Sequence, residues 1–192
     1  MDVGPVSAVP MLHCCDTWKQ LAARGDVLPN WPMQPATWDA IHAMERELLG
    51  PLRATFGAVE LTYGFAGREL VKAIKARAVA RGAPANVTPA SDQHAGYELN
   101  TLGNRINKRD GIAVDLRVPG VSSEVVARHV YDHLPFDWMY LYGADRPFHL
   151  GWGPGMFRGV VRMREWAPGK RVPHMVGGGK GFGEPKGSRP SP

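Results

Sequence analysis

Between positions 35 and 56 the apolar residues Trp38, Ile41, Leu48, Leu49 and Leu52 fall at helical spacing and form one stripe. Pro35 suits a first helical turn, and Gly50-Pro51 is expected to kink or break the helix before a second piece reaches Phe56. Gly57 ends it. Val59, Leu61 and Tyr63 then alternate with polar neighbours, which reads as a strand closing at Gly64. Over 67–81 the pattern returns to helical spacing, with Leu70, Val71, Ile74 and Ala78 on one face. Lys72, Lys75, Arg77 and Arg81 lie largely away from that face and read as a solvated surface. An extended piece from Asn86 leads to Ser91 and His94, and 96–110 is a polar insertion. Residues 111–116 form a strand with Ile112, Val114 and Leu116 on one side and Ala113 and Asp115 on the other. Pro119-Gly120 makes a turn, Ser122 or Ser123 caps a helix to about Leu134, and 136–142 and 147–152 form a hairpin around G-A-D-R. The order is that of an α+β domain with a small, mostly antiparallel sheet flanked by helices.

The ends differ from the body. Residues 1–27 are irregular, with Pro5 and Pro10, apart from a short helix over 17–24. Residues 28–167 hold the periodic elements. From Pro168 to the end, 12 of 25 residues are Gly or Pro, periodicity is lost, and 168–192 reads as a basic, flexible or partner-ordered tail. The chain of 192 residues has a net charge of +5. Lys170, Arg171, Lys180, Lys186 and Arg189 against Glu184 place nearly all of it in this tail, so the body offers no basic surface for nucleic acid. Only the tail leaves nucleic acid open. Two adjacent cysteines, Cys14 and Cys15, form no disulfide framework. H-C-C-D (13–16) has the composition of a soft metal site, but two small residues near a helix is the plainer reading. No signal peptide and no membrane-length apolar run is visible, which suits a cytoplasmic protein, or one released by another route.

Three residues stand out chemically. His94 follows Ser91 in S-D-Q-H, Asp115 closes the apolar run G-I-A-V-D, and His149 sits in P-F-H-L-G-W. Each lies on or beside an expected strand, and one carboxylate with two imidazoles makes a three-ligand metal site of the kind zinc accepts. A carboxylate on so apolar a strand needs a partner; a metal ion, an arginine or backbone N–H groups would serve. His129 and His133 stand four apart on a helix but lack the Glu of H-E-x-x-H. The glycines of 177–183 match a phosphate loop in composition only. Trp138, Tyr140 and Tyr142 alternate on one strand face, as core, sheet surface or a groove lining.

These motifs, in this order, resemble the D-Ala-D-Ala carboxypeptidase family of zinc peptidases, which shares the Hedgehog domain's fold. The similarity covers roughly 28–152. It implies a Zn²⁺ centre of His94, Asp115 and His149 and hydrolysis of an amide bond in a peptide or peptidoglycan fragment, with Ser91, Trp138 and Tyr142 near the substrate. Three departures follow. The family's step from first His to Asp is seven residues; here it is twenty-one, which leaves 96–110 to loop out beside the site. Its acidic general base stands three before the last His; here that position is Arg146, leaving Asp145 as the nearest substitute, with Asp137, Glu98 or Tyr142 as other proton carriers. Its active-site arginine is missing from Tyr63-Gly64-Phe65-Ala66, though Arg68 lies two residues on. The alternative is a non-catalytic metal-binding or interaction module on the same fold, holding a partner through its insertion and tail. A third reading keeps the scaffold for another hydrolysis whose substrate carries the proton donor.

Overall fold

The computed structural model describes residues 9–26, 28–82, 93–167 and 170–177. Five strands and five helices do most of the work of placing the site, and a sixth strand extends the sheet. Helix α1 is Asp16–Ala22, α2 Pro35–Met44, α3 Gly50–Phe56, α4 Arg68–Ala80 and α5 Ser123–His133. The strands are β1 Glu60–Tyr63, β2 Ile112–Arg117, β3 Trp138–Leu141, β4 Phe148–Trp152, β5 Gly159–Ala167 and β6 Lys170–Gly177. They form one sheet in the order β1-β2-β4-β3-β5-β6, antiparallel at every step except β3–β5. This is the α+β class with a mostly antiparallel sheet. Among the described residues no helix is long and apolar enough to cross a membrane.

One sheet face builds the core. Ile112, Val114, Leu116, Met139, Leu141, Phe148, Leu150 and Val160 pack against Ile41, Met44, Leu48, Leu49 and Leu52 of the α2–α3 helix and Val126, Ala127 and Val130 of α5. Strand alternation therefore turns Ala113, Asp115, His149, Gly151, Trp138 and Tyr140 to the opposite face. The helix expected to kink or break at Gly50-Pro51 runs on. A π turn over Glu45–Leu49 joins α2 to α3, and Gly50 N–H donates to Glu45 O. The wider turn absorbs the donor that Pro51 lacks.

Two boundaries drawn from the sequence move. Residues 9–26 belong to the fold: Met11 and Leu12 are fully buried in the main core, and Phe65 N–H donates to Met11 O at 2.9 Å. At the other end, 170–177 is a strand rather than an aperiodic tail. Pro173 is compatible with it because β6 is an edge strand, where a missing donor costs no ladder bond on the open side. The remaining tail positions and the extended piece expected from Asn86 lie outside the described residues.

Cys14 packs in the core with its thiol near Met11 O, and both cysteines are free. Burial, then the neighbouring Cys15, pushes the Cys14 thiol up to about 12. Since the thiolate is the nucleophile, iodoacetamide at pH 8 is expected to leave Cys14 unmodified in the folded protein and to alkylate it in denaturant. Mass spectrometry of the peptide reads this directly; rapid labelling of Cys14 in native buffer would contradict its burial.

Candidate metal centre

Asp115 on β2 and His149 on β4 are register partners across an antiparallel pair, so they stand side by side on the sheet face away from the core. His94 reaches them from a short 3-10 turn, Gln93–Ala95, rather than from a strand. Gln93 holds this turn in place. Its side-chain N–H₂ donates to Asp110 O and to Asp137 Oδ2, both at 2.9 Å.

Asp115 Oδ1 lies 3.1 Å from His149 Nδ1 and 3.3 Å from His94 Nε2. His94 Nδ1 lies 2.9 Å from Gly64 O. A carbonyl only accepts, so Nδ1 carries the proton and donates. That leaves the Nε2 lone pair of a neutral His94 aimed at a carboxylate oxygen. Two acceptors that close are stable only with a proton or a cation between them. An imidazole whose far nitrogen donates to a backbone carbonyl is also the usual arrangement of a metal-ligating histidine. Burial alone would raise the Asp115 carboxyl; with a proton on the imidazoles, the positive charge and hydrogen bonds of His94 and His149 outweigh it and hold Asp115 well below the usual carboxylate range. One ligand atom from each of the three residues falls within 4.8 Å of the others, and the cluster can hold a metal ion. His94 is almost fully buried, while 28% of the Asp115 side chain remains accessible, so the cluster is open on one side.

That side is a hollow of about 370 Å³ lined by the three ligands with Tyr63, Tyr142, Ile74, Cys15 and Asp16 among others. The structure thus brings together His94, Asp115, His149 and Tyr142. It does not bring Asp145, which is exposed and lines a separate hollow with Glu60, Arg117 and Ser122. Arg146 is exposed too, and its carbonyl is taken by Ser123 Oγ. Arg68 opens α4, pairs with Glu69 and lines yet another hollow with Lys72 and Lys75. Trp138 is on the cluster's face of the sheet, stacked between Tyr140 and Phe157, but does not line the hollow. Ser91 lies outside the described residues.

Two proton carriers considered from the sequence prove to be structural. Asp137 is buried and accepts from Gln93 and from Phe157 N–H. Glu98 is buried and accepts from Met33 N–H, Gln34 N–H and Thr37 Oγ, placing a negative charge on the N-terminus of α2, where the helix dipole favours it. The insertion 96–110 is therefore pinned to α2 rather than looped freely. Asp16, an exposed residue at the first position of α1, borders the same hollow, which sequence spacing does not suggest; the 9–15 segment brings it there by running beside Gly64 and Phe65. H-C-C-D is not a cluster of its own, although Cys15 and Asp16 border this one. His129 and His133 do neighbour each other, with ring centroids 4.8 Å apart on α5. Comparison with protein-family models, with curated proteins and with solved structures finds no match to this chain.

Proposed function

We propose that the chain is a zinc-dependent hydrolase of amide bonds, similar in design to the D-Ala-D-Ala carboxypeptidases and acting on cell-wall or related small peptides. The observation that carries this reading is the cluster of His94, Asp115 and His149 with one side open to the hollow. Catalytic zinc sites have three protein ligands and keep a position free. The Asp115 separations of 3.1 and 3.3 Å also suit it, since ligands at 2.0–2.1 Å on a tetrahedral ion stand about 3.3 Å apart. Zinc held there supplies Lewis-acid polarisation of a carbonyl and a water acidified to a pKa of about 7. The residues do the rest. His94 is oriented by Gly64 O, Asp115 balances the cation's charge, and Tyr142 and Asp16 border the space where a substrate amide would sit.

Proton transfer falls to Asp16 and Tyr142 rather than to Asp145, which faces other surroundings. Asp145→Ala is expected to leave release of D-alanine from a cell-wall pentapeptide within about twofold of wild type. Asp16→Asn is expected to lower it by 10²–10⁴-fold, the usual contribution of a positioned acid or base. Intact peptide after incubation with zinc-loaded wild-type protein would sink the hydrolase reading. Such a result would favour the second reading, a non-catalytic metal-binding module, which the exposed Arg146 in place of an acidic residue already recommends.

A further inference from the structure

The face that carries the metal centre continues along β3 into a surface beyond the residues that line the hollow. Tyr140 is the register partner of His149, and the two rings meet edge to face with centroids 5.2 Å apart. Two residues along, Trp138 stands in register with Gly159 on β5. A Cβ at 159 would come within 2.5 Å of two indole carbons; glycine there lets the indole lie across the neighbouring strand. It stacks near-parallel to Tyr140, at 25° and 6.1 Å, and to Phe157, at 15° and 5.7 Å. Three rings thus run in line from His149 outward.

The outer end of this line is held open at a cost. Phe157 is 72% exposed, and it is flanked by Met156 at φ 42° and Arg158 at φ 54°, two non-glycine residues in the left-handed region, where strain is kept only when surroundings enforce it. Here they do. Phe157 N–H donates to the buried Asp137 carboxylate at 2.9 Å, and Arg158 donates to Leu134 O at 3.0 Å. A polar network fixes an exposed aromatic ring against Trp138.

Over the middle of the line lies Arg109. Its Cζ is 4.5 Å from the Trp138 ring centroid, and its Nη1 donates to Tyr140 Oη at 2.9 Å. Arg105, Arg117 and Arg162 each pair with a carboxylate; among the described residues Arg109 has none. A half-buried guanidinium with its plane fixed by an indole and its remaining N–H groups unpaired is prepared for a bidentate carboxylate.

We propose that Arg109 anchors a carboxylate of an acidic peptide, with Trp138 and Phe157 taking the apolar side chain beside it. This rests on the hydrolase reading only in making that peptide the substrate; the binding itself needs no metal. The test uses the metal-free full-length protein with two probes followed by calorimetry, the acid N-acetyl-Leu-Glu-amide and its side-chain amide N-acetyl-Leu-Gln-amide. The acid is expected to bind about tenfold or more tightly than the amide, the scale of a charged hydrogen-bonded contact. Arg109→Ala should erase that difference, Arg109→Lys should restore part of it, and Phe157→Ala should weaken both probes alike. Near-UV circular dichroism checks that the Trp138 stack survives in each variant. Equal binding of acid and amide to the wild type, or a preference that persists in Arg109→Ala, would overturn the proposal. Acid-selective binding through Arg109 in a protein that cleaves nothing would leave the anchor standing and remove the hydrolase reading alone.

Discussion

Asp115→Ala is expected to abolish stoichiometric zinc binding while leaving the protein folded. Asp115 is the hub of the cluster, since its Oδ1 faces both imidazoles. Without it two histidines remain, and the charge that offsets the cation is gone. Losing an outer hydrogen-bond partner of a ligand typically lowers metal affinity 10–100-fold; losing a ligand that also carries the site's negative charge should exceed that. The fold should tolerate the change, because the neighbouring position on the same sheet face, Ala113, is already alanine and fully buried. Thermal unfolding separates the two effects. A ligand that binds only the folded state at 100 times its Kd adds about 2.7 kcal/mol, so zinc should raise the wild-type Tm and leave that of Asp115→Ala unmoved. A variant that still binds one zinc per chain with unchanged affinity would mean that the metal sits elsewhere.

Gly64→Ala is expected to damage stability and metal binding together, although residue 64 is not a ligand. A Cβ there would lie 2.2 Å from Met11 O and 2.9 Å from Met11 C and Cα. These are backbone atoms, so either the 9–15 segment or the chain at 64 must shift. Both shifts matter. Met11 O holds Phe65 N–H, and Gly64 O orients His94. Overpacking of this kind costs roughly 1–3 kcal/mol, and a misplaced acceptor behind His94 should cost about 10–100-fold in zinc affinity. Gly120→Ala is the control. It has a positive φ of 76° with no atom within 4 Å of the added Cβ, so it should lose about 1–2 kcal/mol of conformational energy and keep its zinc. Chemical denaturation and chelator competition on both variants check the pair; intact zinc affinity in a destabilised Gly64→Ala protein would remove Gly64 O from the centre.

What could be read from the chain alone was what local pattern encodes. Helical spacing located α2–α3 and α4, alternation located β1 and β2, and the motifs around His94, Asp115 and His149 named three residues that the sheet register then placed together. What escaped depended on contacts distant in sequence. Pro10 and its neighbours read as irregular, yet Met11 and Leu12 are core because a hydrogen bond to Phe65 draws them in. The residues of β5 include Val160, Val161 and Met163, but their basic neighbours and the Gly- and Pro-rich stretch that follows obscured a hairpin. Asp145 was close to His149 along the chain and is turned elsewhere; Asp16 is far along the chain and borders the same hollow. Glu98 looked like a proton carrier because burial and its helix-end donors cannot be seen in sequence.

The most direct test of the centre itself is a zinc K-edge X-ray absorption spectrum of the zinc-loaded protein. His94, Asp115 and His149 as ligands predict a first shell of nitrogen and oxygen alone at about 2.0–2.2 Å, with imidazole scattering from two rings. A sulfur neighbour at about 2.3 Å would place Cys15 or Cys14 on the metal and close the site, and a protein that cannot retain zinc through the preparation would mean that no such centre forms.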